Sequence, residues 1–271
     1  MSAPRVLLFD SGMGGLTVAR AVRAQIPAAD LVYAADNAAF PYGAWDEGLL
    51  VRRIVDVVGK FVERVRPDLV VIACNTASTL ALAALREKYT VPFVGTVPAI
   101  KPAAAQTKSG LIGVLATPGT AQREYTRALI DTYAYHCKVF LHGAKRLAEI
   151  AEAKLKGQKV DEEELRAEIA PVFRRRDGRL TDVVVLGCTH YPLLLDELNA
   201  ASPWPVIFID PAPAIARRVL EVLKTVPASE RTGAPARGTV YFTSARGRNP
   251  ESAAAYGAMG FDRQEIMDFP V

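Results

Sequence analysis

Two of the three cysteines follow a run of apolar residues and precede polar ones. Cys74 ends the run VVIAC and is followed by Asn75–Thr76, whereas Cys188 ends VVVLGC and is followed by Thr189–His190. A thiol at the end of a buried strand and the start of a helix lies at the positive end of the helix dipole, which favours the thiolate. Two such thiols, one ionised and one protonated, could remove a proton from one face of a carbon and return a proton to the other.

Other cysteine chemistry needs different surroundings. A metal site needs three or four ligands, and only Cys188 and His190 have a spacing that resembles a ligand pair, so we expect no metal ion. A cysteine hydrolase needs a base and an oxyanion hole at one nucleophile, which leaves the second strand-end thiol unexplained. Cysteine also packs as a small hydrophobe, and this is the interpretation we adopt for Cys137.

A glycine-rich turn follows the first apolar run, in the segment FDSGMGGLTVARAV at residues 9–22. Gly12 and Gly14 match the first two glycines of a dinucleotide-binding turn, but Thr17 replaces the third. Asp10 at the strand end would repel a pyrophosphate. The favoured alternative is that the glycines let backbone amides approach a small carboxylate at a helix start, with Asp10 facing an ammonium group or a thiol.

Two more loops follow apolar runs. The segment DNAAFPYG, residues 36–43, is expected to be exposed and either presents backbone N–H groups to an anion or is only a turn. In ATPGT, residues 116–120, Thr117 and Thr120 could bind a carboxylate or could equally cap a helix.

The elements that position these residues follow from an alternation of apolar runs with helical patterns. Continuous apolar strands separated by helices predict parallel sheets covered on both faces, with ligands at the carboxyl ends of the strands. Strands are predicted at 5–9, 31–35, 69–73, 110–116, 183–187 and 206–209, with a last strand TVYFTS after an exposed connection at 226–238. Helices are predicted at about 15–25, 48–65, 76–89, 120–134 and 192–200.

The two cysteine segments repeat one pattern of apolar strand, cysteine, polar residues and helix, which indicates a pseudo-symmetric pair of lobes. The predicted fold is therefore α/β, with two lobes of mainly parallel sheets flanked by helices and an active site in the cleft between them. The first lobe, with Cys74, is expected to contain residues 1–97 and 209–271. The second, with Cys188, is expected to contain residues 98–208.

Composition narrows the class of protein. The formal charge is only +4, from 33 basic and 29 acidic residues, so no nucleic-acid partner is expected. The basic run Arg174–Arg176 is interpreted as a helix end that enters a turn. The sequence has no apolar stretch long enough for a membrane span and no signal-peptide pattern, and three cysteines are too few for a disulfide scaffold. We expect a cytoplasmic protein with reduced thiols.

Six segments together resemble the glutamate racemases, a family of the aspartate/glutamate racemase superfamily. They are DSGMGG, FPYG, ACNTAST, PAIKPA, ATPGT and GCTHYPLL, and the resemblance covers essentially the whole chain. The resemblance implies an enzyme without a cofactor that interconverts L- and D-glutamate and supplies D-glutamate for peptidoglycan synthesis. The alternatives are a racemase of aspartate or another acidic amino acid, a nucleotide-binding oxidoreductase, and a non-catalytic regulatory protein on the same fold.

The resemblance also implies residue roles. Cys74 would take the proton from D-glutamate and Cys188 from L-glutamate, with Asp10 beside the first thiol and His190 near the second. Glu152 matches an acidic residue near the second thiol, but its segment departs from the proline-containing pattern of many members, and a solvated helix face is the open alternative. The implied substrate contacts are Ser11, Tyr42, Gly43, Asn75, Thr76, Thr117, Thr120 and Thr189. We expect glutamate as the small-molecule partner and no association with a membrane. A homodimer is the assembly to test.

Overall fold

The structure, a computed structural model, describes residues 3–226, 238–246 and 248–269. The chain divides into two compact units: unit 1 comprises Met1–Thr96 and Ala212–Val271, and unit 2 comprises Val97–Pro211. The lobe boundaries predicted from the sequence lie close to these limits. The connection predicted at 226–238 lies outside the described residues apart from its two ends.

Unit 1 is built on a sheet that contains six parallel strands in its described part. The strands are β1 (Arg5–Asp10), β2 (Asp30–Ala35), β3 (Leu69–Ile72), β4 (Phe93–Gly95), β11 (Thr239–Phe242) and β12 (Arg263–Ile266). Their order across the sheet is β12-β11-β2-β1-β3-β4. The helices are α1 (Leu16–Gln25), α2 (Glu47–Val65), α3 (Asn75–Lys88), α10 (Ala212–Leu223) and α11 (Pro250–Ala258).

The strands at the centre of this sheet are apolar except at their ends, where Arg5, Asp10 and Asp30 lie, because both faces of the sheet are covered. All residues of β2 and β3 are buried. Helix α2 packs its apolar stripe, which includes Ile54, Val58 and Phe61, into the same core cluster as Phe9 of β1. Since all strand pairs are parallel, the residues that follow β1, β2, β3 and β11 lie at one edge of the sheet.

Unit 2 has a parallel sheet of four strands in the order β10-β9-β5-β6. These strands are β5 (Leu111–Ala116), β6 (Lys138–Gly143), β9 (Val183–Gly187) and β10 (Ile207–Ile209). A separate antiparallel pair is formed by β7 (Arg175–Arg176) and β8 (Arg179–Leu180). The helices are α4 (Ile100–Gln106), α5 (Pro118–Gln122), α6 (Glu124–Tyr133), α7 (Leu147–Leu155), α8 (Glu162–Ile169) and α9 (Leu195–Ala201).

The predicted fold class is confirmed: mainly parallel sheets are flanked by helices. Strands β4, β6 and β12 were not predicted, because they lie at sheet edges and are short, half-exposed or polar rather than continuously apolar. The helix predicted at 120–134 is interrupted at Arg123, whose backbone is extended (φ −68°, ψ 136°). None of the helices in the described residues is both long and apolar enough to cross a membrane.

The interpretation of Arg174–Arg176 as a helix end is wrong. Arg175 and Arg176 form a strand that pairs with Arg179 and Leu180. The turn between the strands, at residues 177–178, has positive φ angles of 50° and 75°, which is the geometry of a two-residue hairpin turn. An Asp-Gly pair between two polar strands is the local signal that predicts this turn.

Candidate active site

The first thiol lies at the junction between β3 and α3. The backbone of Cys74 is extended, and its carbonyl accepts a hydrogen bond from the Ser78 amide at 2.9 Å, so Cys74 caps the N-terminus of α3. Its side chain is buried, and its Sγ lies 3.9 Å from the hydroxyl of Ser11. The positive end of the helix dipole favours the thiolate at this position, and the Ser11 hydroxyl can either donate to the sulfur or accept from it.

The glycine-rich turn after β1 places Ser11 beside that thiol. Asp10 is fully buried at the end of the strand, and its Oδ1 accepts a hydrogen bond from the Gly12 amide at 2.7 Å. Tyr33 Oη donates to the Gly12 carbonyl at 2.9 Å. A Cβ added to Gly15 would lie 2.6 Å from Tyr33 Oη and 2.9 Å from Asp10 Cβ, so the turn has room only for glycine there.

The loop after β2 is only partly exposed, which corrects the prediction made from its sequence. Gly43 is exposed, but the Tyr42 side chain is 3% exposed and packs in the core of unit 1. Tyr42 Oη donates to Asp36 Oδ2 at 2.6 Å. Burial raises the pKa of Tyr42 well above its usual range, and the carboxylate of Asp36 raises it further. The tyrosine hydroxyl is therefore a neutral donor committed to Asp36, and the loop can offer an anion its backbone.

The second thiol is the first member of a chain of polar groups in unit 2. Cys188 follows β9, and its Sγ lies 3.8 Å from Nδ1 of His190. Nε2 of His190 lies 3.1 Å from Oε1 of Glu152, whose Oε2 lies 3.2 Å from Nζ of Lys156. The side chains of His190 and Glu152 are 3% and 9% exposed, so Glu152 is buried against the histidine rather than on a solvated helix face. This arrangement can hold or move a proton between the thiol and the carboxylate.

Tyr191 follows this histidine and was missed by the sequence analysis. Its side chain is fully buried in the same apolar cluster as Cys188. Burial raises the pKa of Tyr191 well above its usual range, and Cys188 and Glu168 raise it further. Within the described residues its hydroxyl has no hydrogen-bond partner. Its position directly after Cys188–His190 is the only sequence signal that marks it, because a buried tyrosine is otherwise an ordinary core residue.

The predicted threonine and asparagine contacts lie at helix starts and strand ends. Thr117 caps α5: its Oγ1 accepts from the Thr120 amide at 3.2 Å and donates to Thr120 Oγ1 at 3.0 Å. The capping interpretation of Thr117 is thus confirmed, and a carboxylate contact stays a prediction. Asn75 and Thr76 are buried in the first turn of α3, and Thr189 is buried next to the second thiol.

Each unit therefore gathers its own set of predicted residues around one thiol, at the carboxyl edge of its parallel sheet. In unit 1 these are Asp10, Ser11, Tyr42, Gly43, Cys74, Asn75 and Thr76. In unit 2 they are Thr117, Thr120, Glu152, Cys188, Thr189 and His190. The part of the chain that the structure describes contains no cluster of three or more side chains suited to hold a metal ion.

Known proteins are similar to this chain in both sequence and fold. The sequence profile of a family described as Asp/Glu/Hydantoin racemase matches residues 16–219. A glutamate racemase of Brucella canis is 56% identical over 219 residues, which cover 80% of this chain and 79% of the relative. A glutamate racemase of Mesorhizobium japonicum is 53% identical and covers 87% of this chain and 90% of its own.

Among solved structures, the crystal structure of Escherichia coli glutamate racemase in complex with L-glutamate and the activator UDP-MurNAc-Ala superposes with a TM-score of 0.91. The two sequences are 40% identical, and the match covers 98% of each chain. A glutamate racemase isoform of Bacillus anthracis, RacE1, has a TM-score of 0.80 at 27% identity and full coverage of both chains. With the family profile, these matches show that the chain belongs to the Asp/Glu/hydantoin racemase family.

Proposed function

We propose that this protein interconverts L- and D-glutamate without a cofactor, with Cys74 and Cys188 as the two acid-base groups. The observation that carries the proposal is that each unit holds a buried thiol within two residues of the carboxyl end of a strand of its parallel sheet. The relatives at 53 to 56% identity are named glutamate racemases, which supports glutamate as the substrate.

The reaction needs a base on one face of the α-carbon and an acid on the other. With D-glutamate, the Cys74 thiolate takes the α-proton and the C–H electron pair stays on the substrate as a carbanion delocalised into the α-carboxylate. The Cys188 thiol then gives its proton to the opposite face. The product is L-glutamate, Cys74 is now protonated, Cys188 is a thiolate, and the same steps in reverse convert L-glutamate.

The two thiols have different proton-handling neighbours in this proposal. Ser11 is the proposed donor to the Cys74 thiolate, because its hydroxyl lies 3.9 Å from Sγ and a thiolate can only accept. His190 stands between Cys188 and Glu152, and its imidazolium form would stabilise the Cys188 thiolate while Glu152 stabilises the imidazolium. Asp10 belongs to the residues around Cys74 because its carboxylate accepts from the Gly12 amide and so stabilises the turn that contains Ser11.

The substrate carries two carboxylates, which neutral donors can hold without a buried cation. In unit 1 the proposed donors are Ser11, the backbone of Tyr42–Gly43, Asn75 and Thr76. In unit 2 they are Thr117, Thr120 and Thr189. Donors that reach the α-carboxylate also stabilise the charge that develops there when the α-proton leaves.

The test is a chirally resolved assay of the purified protein in heavy water, with L- or D-glutamate as substrate and no additive. We expect the opposite enantiomer to form with deuterium at the α-carbon. Cys74→Ala and Cys188→Ala should each lower turnover by at least about 100-fold, because general acid-base groups contribute roughly 10²- to 10⁴-fold. Cys137→Ala is the matched control, since this half-buried thiol lies outside the proposed set, and it should keep wild-type turnover.

Three outcomes would refute the proposal: no racemisation by the folded wild-type protein, product without deuterium, or near-normal turnover in a variant that lacks one of the two thiols. Aspartate is assayed in parallel, because the family description includes it. If the protein turns over aspartate faster than glutamate, aspartate is the substrate. The proposal extends to a cytoplasmic homodimer that supplies D-glutamate for peptidoglycan, which fractionation, sedimentation and D-glutamate auxotrophy of a deletion strain would test.

A further inference from the structure

A buried carboxylate stands beneath the 42–43 loop and accepts four hydrogen bonds. Asp36 is fully buried at the carboxyl end of β2. Its Oδ2 accepts from Tyr42 Oη at 2.6 Å and from Arg53 Nε at 2.8 Å. Its Oδ1 accepts from Arg53 Nη2 and from Thr243 Oγ1, both at 2.7 Å. Asp36 therefore joins the loop to helix α2 and to the end of β11.

Arg53 is the only positively charged residue among the donors of those four hydrogen bonds, and its guanidinium makes further contacts. It binds both oxygens of Asp36 in the fork geometry that only arginine provides. Its Nη2 also donates to the Phe269 carbonyl at 3.1 Å, and its Cζ lies 5.9 Å from the ring centre of Trp45. Trp45 ends the short helical turn that begins at Tyr42, so the loop is fixed at both of these aromatic residues.

The charge of Asp36 matters because the proposed substrate is an anion. The Asp36 amide donates to the Asp10 carbonyl at 2.8 Å, so two buried aspartates lie at adjacent strand ends on the edge where we propose that glutamate binds. Without a cation, the carboxylate of Asp36 would repel a substrate carboxylate at the nearby loop, since charges interact strongly where water is excluded.

We propose that Asp36 and Arg53 are positioning residues: together they fix the Tyr42–Gly43 backbone for one carboxylate of the substrate, and Arg53 cancels the charge of Asp36 so that it does not repel that carboxylate. The proposal rests on the proposed glutamate racemisation. Neither side chain takes part in proton transfer, and both act through the loop.

Kinetics of charge variants separate this role from a purely structural one. Arg53→Met should raise KM for glutamate roughly 10- to 100-fold, the range expected for a lost charge-assisted hydrogen bond, and leave kcat within about threefold. The double variant Asp36→Asn/Arg53→Met removes both charges, so its KM should be lower than that of Arg53→Met alone. A purely structural pair predicts instead that the change in KM of each variant follows its loss of stability in urea unfolding. Tyr42→Phe, which removes only the hydroxyl, should raise KM by several-fold and keep kcat.

The matched control is Arg64→Met, which removes the same charge from an exposed position of the same helix. Arg64 is 61% exposed, and its ion pair with Glu265 is long at 3.8 Å. Its KM and kcat should stay within twofold of wild type. If Arg53→Met and Tyr42→Phe both keep the wild-type KM, or if the double variant is as impaired as Arg53→Met, the proposal fails.

Fluorescence tests the same role without relying on turnover. The chain has two tryptophans, so Trp204→Phe leaves Trp45 as the single reporter of the loop. In that background Arg53→Met should increase acrylamide quenching of Trp45, and Arg64→Met should not change it. If the protein does not racemise glutamate, the proposed function fails, whereas unchanged quenching in Arg53→Met refutes the positioning role independently.

Discussion

Replacing Glu152 by glutamine probes the chain of polar groups behind Cys188. The change keeps the shape of the side chain but removes the charge that lies 3.1 Å from Nε2 of His190, in a pair whose members are less than 10% exposed. A buried hydrogen bond to a charged group is worth about 1.5 to 3 kcal/mol. If this bond stabilises the imidazolium while Cys188 transfers a proton, its loss lowers kcat/KM by about 10- to 150-fold.

Only Cys188 has the His190–Glu152 pair beside it, so the Glu152→Gln change should affect the two enantiomers differently in one measurement, the isotope effect. Enantiomers have equal free energy in achiral solvent, so kcat/KM for L- and D-glutamate must fall together. Isotope effects differ, because only the step at Cys188 is slowed. With α-deuterated L-glutamate, from which we propose that Cys188 removes the deuteron, the primary isotope effect should rise. With α-deuterated D-glutamate, from which we propose that Cys74 removes it, the effect should fall towards unity.

The control is Glu149→Gln on the same helix, because Glu149 is 39% exposed and pairs with the exposed Arg146 at 2.6 Å. This variant should match wild type, since exposed ion pairs contribute about 0 to 1 kcal/mol. Folding of both variants is checked by thermal unfolding. A folded Glu152→Gln variant with kcat/KM within threefold of wild type, or with the same isotope shift for both enantiomers, would refute the assigned role of Glu152.

Three predictions concern stability, measured by urea unfolding. Gly15→Ala should destabilise by about 1 to 3 kcal/mol, because its Cβ would lie 2.6 Å from a buried tyrosine hydroxyl, whereas Gly48→Ala, with no neighbour nearer than 3.4 Å, should not destabilise. Burial alone would raise the pKa of Asp182, but hydrogen bonds from residues 107–109 outweigh it and hold that pKa below its usual value. This carboxylate therefore stabilises the fold above the unfolded-state pKa of about 3.9, and the deficit of Asp182→Asn should shrink as pH falls below about 4; a constant deficit would contradict this. Asn249→Ala removes the capping box of α11 and should cost about 0.5 to 2 kcal/mol, and an unchanged midpoint would show that the cap is not needed.

The sequence by itself determined the features that depend on neighbouring residues. Buried parallel strands are continuous apolar runs, so β1, β2, β3, β5 and β9 were located correctly, and with them the ends where Cys74 and Cys188 lie. The glycine turn after β1 and the cap at Thr117 were also predictable, because a turn and a cap form from residues only a few positions apart.

Only the tertiary structure decided the pairings between distant residues. Glu152 and His190 are 38 positions apart, and their contact exists because α7 packs against the segment that follows β9. Asp36 and Thr243 are 207 positions apart and meet because β2 and β11 are parallel neighbours. Tyr42 is a core residue in a loop whose proline and glycine predict exposure, since its ring packs in the same core cluster as α2 while its hydroxyl reaches Asp36. Local patterns record how a segment folds, whereas the partner of a buried charge depends on which strands become neighbours, and the residues near that charge do not encode this.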